Sequence, residues 1–128
     1  MLLAAGSEQQ KDRNCKIPIL QSKICNQLEF MMLRHVVFFK FKEGVGEEQI
    51  ADLESSLGAL PPVIPEILTY EFGRDTVRSE RSYDLALVAT FRNLESLHRY
   101  QQHPDHQMVL KKVNDLCGSV VVVDFLAD

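Results

Sequence analysis

Arg34 to Lys42 reads RHVVFFKFK. Valine and phenylalanine crowd this stretch, and both favour extended backbone because branched and aromatic side chains pack well on a pleated surface. The two-residue repeat of a strand puts His35, Val37, Phe39 and Phe41 on one face and Val36, Phe38, Lys40 and Lys42 on the other.

Downstream the period changes. In EEQIADLESSLGAL, Ile50, Leu53, Leu57 and Leu60 form one helical stripe, with Glu47 and Glu48 at the positive N-terminal end and Pro61-Pro62 as the stop. VIPEILTYEFGRD predicts a second strand ending near Gly73, and YDLALVATF a third, with the polar loop RDTVRSERS between them as a hairpin connection. Asn93 is placed to cap a helix running through Leu94, Leu97 and Tyr100, which Pro104 must break. A second helical segment follows from Pro104 to about Leu116, and GSVVVVDFLAD closes the chain as a strand.

The order β-α-β-β-α-β, with its second helix broken, predicts a ferredoxin-like α+β sandwich. Helices cover only one face of such a sheet. The expected uncovered face carries His35, Val37, Phe39, Val120 and Val122, an apolar patch that calls for a second subunit and so for a homodimer.

The 128 residues and 45% apolar content suit one domain with a real core. Residues 1–30 show no sustained period and read as a poorly ordered N-terminal extension, leaving 31–128 as the domain and Met31 or Met32 as the expected natural start. Net charge is -4 and the longest basic run is Lys111-Lys112, so no nucleic-acid partner is expected. Cys15, Cys25 and Cys117 are odd in number and form no CxxC pair, which argues against a disulfide framework or zinc site and for a reducing cytoplasm. The N-terminus has too few apolar residues for a signal core or a membrane span.

HVVFFKFK, FGRD, YDLALVATF, YQQHPDH and VVVVDF, in that order from about Met32 to Phe125, resemble the stress-responsive A/B barrel (Dabb) family. The resemblance implies a homodimer whose sheets face each other as a dimeric α+β barrel, with a cavity between sheet and helices in each subunit. Its members include a plant polyketide cyclase that works without a cofactor, and stress proteins with no clear reaction. In motif position Tyr100 and His106 match the cyclase's catalytic pair, and Asp124 matches the aspartate that orients its histidine. His35, Val37 and Phe39 match a first-strand pocket wall, Leu87 and Ala89 a third-strand wall, and Val120 and Val122 complete the candidate ligand-binding set. The chain departs from the cyclase at Leu85, where a pocket histidine stands, and at Leu53 and Leu57, where aromatics stand.

Physical chemistry gives the segment RYQQHPDH a second, independent reading. Tyr100 and His106 are separated by roughly 120° on an unbroken helix, but a kink at Pro104 lets both point into one cavity. His106 falls on the stripe of Leu110, Val113 and Cys117, in a first turn whose dipole disfavours the imidazolium. Asp124, on the strand face of Val120 and Val122, is then expected to fix the ring's tautomer, and Tyr100 to donate to a developing enolate. His103 fits a helix cap and His98 a solvent position. No spacing among His103, His106 and Asp124 matches a dedicated metal site.

Three functions stay open on this reading. The first is a barrel holding a small hydrophobic carbonyl-bearing ligand, with cofactor-independent acid/base chemistry of cyclase or lyase type. The others are a non-enzymatic stress or stability protein, and a cofactor-free monooxygenase.

Overall fold

The computed structural model describes residues 31–128. The proposed extension over 1–30 lies outside the described residues. Strand β1 (Met32–Phe41) leads into helix α1 (Glu47–Gly58), then strands β2 (Thr69–Arg74) and β3 (Leu85–Phe91). Helices α2 (Leu94–Gln102) and α3 (Pro104–Leu116) and strand β4 (Cys117–Ala127) complete the order. The sheet runs β2-β3-β1-β4, the ferredoxin-like arrangement expected from the sequence. β3 pairs antiparallel with both neighbours. On the other side of β1, Lys42 N donates to Leu116 O while His35 meets Asp124, so β1 and β4 also run antiparallel.

Local chemistry accounts for the element ends. Gln49 Oε1 accepts from Gly46 N–H at 2.9 Å at the start of α1, and Asn93 Oδ1 accepts from Ser96 N–H at 2.9 Å at the start of α2. The break between α2 and α3 is one extended residue, His103 (φ -62°, ψ 135°), followed by Pro104 at the first helical position, where its missing N–H costs nothing. His103 Nδ1 accepts from Asp105 N–H at 3.1 Å, so this histidine is a cap.

The second strand is shorter than expected. VIPEIL forms turns instead, because Pro65 in its middle supplies no ladder N–H and Pro61-Pro62 turn the chain just before it. This segment still packs the core through Leu60 and Ile64, both buried, and pairing begins only where Leu68 N donates to Thr90 O.

The faces of the sheet require a larger correction. His35↔Ala89, Val37↔Leu87 and Phe39↔Leu85 pair across β1 and β3, and all six residues are buried on the helix side with Leu53, Leu57, Leu97 and Tyr100. On β4 the parity follows from His35 meeting Asp124, so Val120 and Val122 share that side. The patch expected on the uncovered face therefore lies under the helices. The uncovered face carries Val36, Phe38, Val88, Val121 and Val123 instead, of which Phe38 and Val123 are 42% and 61% exposed. β1 is apolar on both faces, so its alternation alone did not say which one the helices take.

Candidate functional site

A cavity of about 230 Å³ opens between the sheet and the α2–α3 elbow. Its floor is His35, Val37, Phe39 and Leu87 from β1 and β3, its edge Val120 and Val122 from β4, and its roof Tyr100 and His106. Leu57, Val109 and Val113 add apolar wall.

The Pro104 break does what the sequence predicts. It brings the Tyr100 and His106 rings to 4.2 Å between centroids, although the two residues sit on different helices. His106 is buried on α3 with Val109, Val113 and Leu116, and of the expected stripe of Leu110, Val113 and Cys117, Val113 and Cys117 are buried and Leu110 lines the cavity. Leu110 is 37% exposed, and Cys117 opens β4. His98 faces solvent as expected.

Asp124 is not beside His106. Its Oδ1 lies 2.6 Å from His35 Nδ1 across the β1–β4 pair. A carboxylate only accepts, so His35 carries its proton on Nδ1. His106 Nδ1 instead lies 3.2 Å from the Gln101 carbonyl oxygen, which also accepts, so it too is the Nδ1–H tautomer. The pairing of Asp124 with His106 fails because β4 lies against β1, and its helix-side residues meet the first strand before they can reach α3.

Two further expectations are adjusted. Ala89 is fully buried and pairs with both His35 and Tyr70, but it lies in the core and not on the cavity wall. Its small side chain leaves room for the Tyr100 ring, which packs against His35, Tyr70 and Phe91. Of the residues at the noted departures, Leu57 lines the cavity, while Leu53 and Leu85 are core.

The sequence reading missed Tyr70. Its hydroxyl lies 3.0 Å from that of Tyr100, so the two phenols hydrogen-bond at the back of the site. The only sequence signal was an aromatic with a polar tip on the inward parity of β2. Burial pushes the Tyr70 phenol up to about 12 and raises Tyr100 strongly, with Tyr70 reinforcing the effect. Both are hydrogen-bond donors at neutral pH.

Burial also lowers the pKa of His106, against the Gln101 carbonyl, and positive charge on His35 and His103 adds to the lowering. Its folded pKa therefore lies below its ordinary value of 6.5. Between the two the unfolded chain binds more protons, so this group's contribution to stability is complete above about 6.5 and is lost as pH falls through the folded pKa. His106→Gln is expected to flatten the fall in Tm between about pH 7 and about pH 5. Thermal melts of both proteins across that range check it, and parallel slopes would contradict it.

Among the described residues, no three His, Cys, Asp or Glu side chains converge as metal ligands, and no helix is long and apolar enough to cross a membrane. His103, His106 and Asp124 are each engaged elsewhere.

The profile of the Stress responsive A/B Barrel Domain, Dabb, matches residues 33–127. The chain belongs to this family. Among curated Dabb relatives, a stress-response A/B barrel domain-containing protein of Arabidopsis thaliana is 29% identical over 100 residues, 76% of this chain. The match spans 37% of that plant protein's own length. Olivetolic acid cyclase of Cannabis sativa is 27% identical over 78 residues, 59% of this chain and 77% of the cyclase. A dimeric ferredoxin-like protein of unknown function from Thermobifida fusca superposes with a TM-score of 0.70 at 32% identity, covering 76% of this chain and 92% of that one.

Proposed function

We propose that this Dabb chain is one subunit of a homodimeric α+β barrel that binds a small hydrophobic, carbonyl-bearing ligand under α2 and α3. On that ligand it performs cofactor-independent acid/base chemistry of cyclase or lyase type. The domain spans 31–128, with 1–30 as an appended extension. The observation that carries the reading is a mostly apolar cavity on which one phenol and two imidazoles converge. Olivetolic acid cyclase as a relative supports it. A dimeric neighbour and the open apolar face support the homodimer. A cytoplasmic setting is supported by an odd cysteine count and by Cys117, a buried free thiol among the described residues.

The chemistry follows from protonation states. Tyr100, a phenol that lines the cavity while its hydroxyl meets that of Tyr70, serves as donor to a carbonyl oxygen, in a bond that strengthens as the oxygen becomes an enolate. His35 and His106 both hold their proton on Nδ1, which leaves the Nε2 lone pair of each as a basic nitrogen. Apolar walls exclude water from the enolate.

Titration with acetophenone, followed by NMR, tests the binding step. Saturable shifts centred on Tyr100 and His106 are expected. Val120→Phe, which puts a ring into the void from the strand edge, is expected to weaken binding at least about tenfold, the effect of filling a small apolar site. Absence of saturable binding, together with no ligand retained by protein from its own cells in native mass spectrometry, would leave the non-enzymatic stress role instead.

A further inference from the structure

We propose that the His35–Asp124 pair, rather than His106, takes and holds the proton when a ligand in this cavity is deprotonated. The proposal rests on the ligand-binding reading above and assigns a role within it.

The two histidines face each other across the site with different partners. The His35 side chain is 7% exposed, and Asp124, with a side chain 34% exposed at the sheet edge, meets its Nδ1 at 2.6 Å. An imidazolium in so dry a position is costly unless a carboxylate stands against it, and here one does. His106 Nδ1 has only the neutral Gln101 carbonyl, at 3.2 Å. Among the described residues, no carboxylate bonds to it.

The groups facing His35 are Asp124 from β4, Tyr100 from α2, at 6.1 Å between rings, and His106 from the roof of the same cavity on α3. Tyr70 of β2 reaches it only through Tyr100. Of these, Asp124 alone stabilises positive charge. The groups facing His106 are Tyr100, His35 and His103, none of them anionic. Charge on His35 therefore keeps His106 neutral, and paired imidazoles with divergent environments divide their roles in this way.

The step balances without a further reactant. An acidic C–H or O–H of the ligand gives its proton to His35 Nε2. The electron pair of that bond stays on the ligand as an enolate or phenolate, whose oxygen accepts from the Tyr100 hydroxyl. His35 becomes an imidazolium against Asp124 and returns the proton to the product. His106 keeps its lone pair and accepts a hydrogen bond, while Asp124 acts as a positioning residue through His35.

The test is ¹⁵N NMR of the four histidines in the full chain at neutral pH, alone and with 4-nitrophenol as probe. With 4-nitrophenol bound, His35 is expected to show the ¹⁵N shifts of an imidazolium while His106 stays neutral, and Asp124→Asn to return His35 to the neutral pattern. Bound 4-nitrophenol is expected to show its phenolate absorbance in the unmodified protein, and to lose it in His35→Gln and Asp124→Asn. Imidazolium shifts at His106 instead of His35, an imidazolium His35 that persists in Asp124→Asn, or phenolate surviving His35→Gln would each overturn the assignment. Asp124→Asn keeps shape and sits partly in solvent, so it carries the test if His35→Gln fails to fold. If 4-nitrophenol leaves every shift untouched, the ligand-binding reading falls, while the response of the His35 Nδ1 shift to Asp124→Asn in the free protein still decides whether the pair holds.

Discussion

Phe38→Asp is expected to run as a monomer, or to aggregate, in sedimentation velocity, where the unmodified protein is expected to run at twice its 14.6 kDa chain mass. Phe38 stands near the middle of the uncovered face, next to Val36 and diagonal to Val88, with Val121 and Val123 on β4 completing the patch. In a two-fold barrel the same residue enters the interface from both copies. Each buried, unpaired carboxylate there costs several kcal/mol, so two of them weaken association by about 10⁴-fold or more. Val122→Asp is the matched control. One residue along β4 from Val121, it faces the cavity, so it is expected to leave the dimer intact and to abolish binding of apolar ligands. Had the face been the one first read from the sequence, Val122→Asp would split the dimer and Phe38→Asp would not. A soluble, folded monomer of the unmodified protein at micromolar concentration would refute the barrel altogether.

That pair of variants marks where the sequence was legible and where it was not. Element types follow from period and capping, and most boundaries held because Asn93, Pro104 and Pro61-Pro62 act locally. VIPEIL was misread because its apolar content resembles a strand until Pro65 is counted as a missing donor and Pro61-Pro62 as a turn just before it. The covered face of β1 is a tertiary choice between two apolar stripes. Lys40 and Lys42 on the Val36 stripe were the available clue, since Lys42 is exposed and Lys40 reaches out to the Ser82 carbonyl.

The site divides in the same way. The meeting of Tyr100 and His106 was legible because a proline kink is a local event with a calculable rotation. The partner of Asp124 was not, because it depends on how β4 registers against β1, two segments with 75 residues between Phe41 and Cys117. Tyr70 was invisible for a related reason. Its role exists only once β2, β3 and α2 are stacked so that the small Ala89 leaves Tyr100 within reach. Carrying a family role onto Asp124 preserved the residue and changed its partner.

Tyr100→Phe is expected to lower turnover of the compound recovered from native protein by about 10² to 10³-fold, the usual effect of deleting one oxyanion donor. The folded state is expected to survive. The ring remains packed 4.9 Å from Phe91 and 4.2 Å from His106, and only the bond to Tyr70 is lost. Leaving that partner hydroxyl unsatisfied costs about 1 to 3 kcal/mol. Tyr70→Phe breaks the same bond from the other side, so its stability cost is similar, but Tyr70 does not line the cavity and its effect on turnover is expected to be small. Tyr100→Ala differs from both, because it empties a site that is 1% exposed and is expected to cost about 3 to 5 kcal/mol. Melting temperature and turnover measured on the three variants separate the roles of hydroxyl and ring. If Tyr70→Phe and Tyr100→Phe lower turnover equally, the phenol pair matters only as a structural bond, and Tyr100 is not the donor to the ligand. If Tyr100→Phe alone loses turnover at unchanged Tm relative to Tyr70→Phe, the hydroxyl acts on the reacting oxygen.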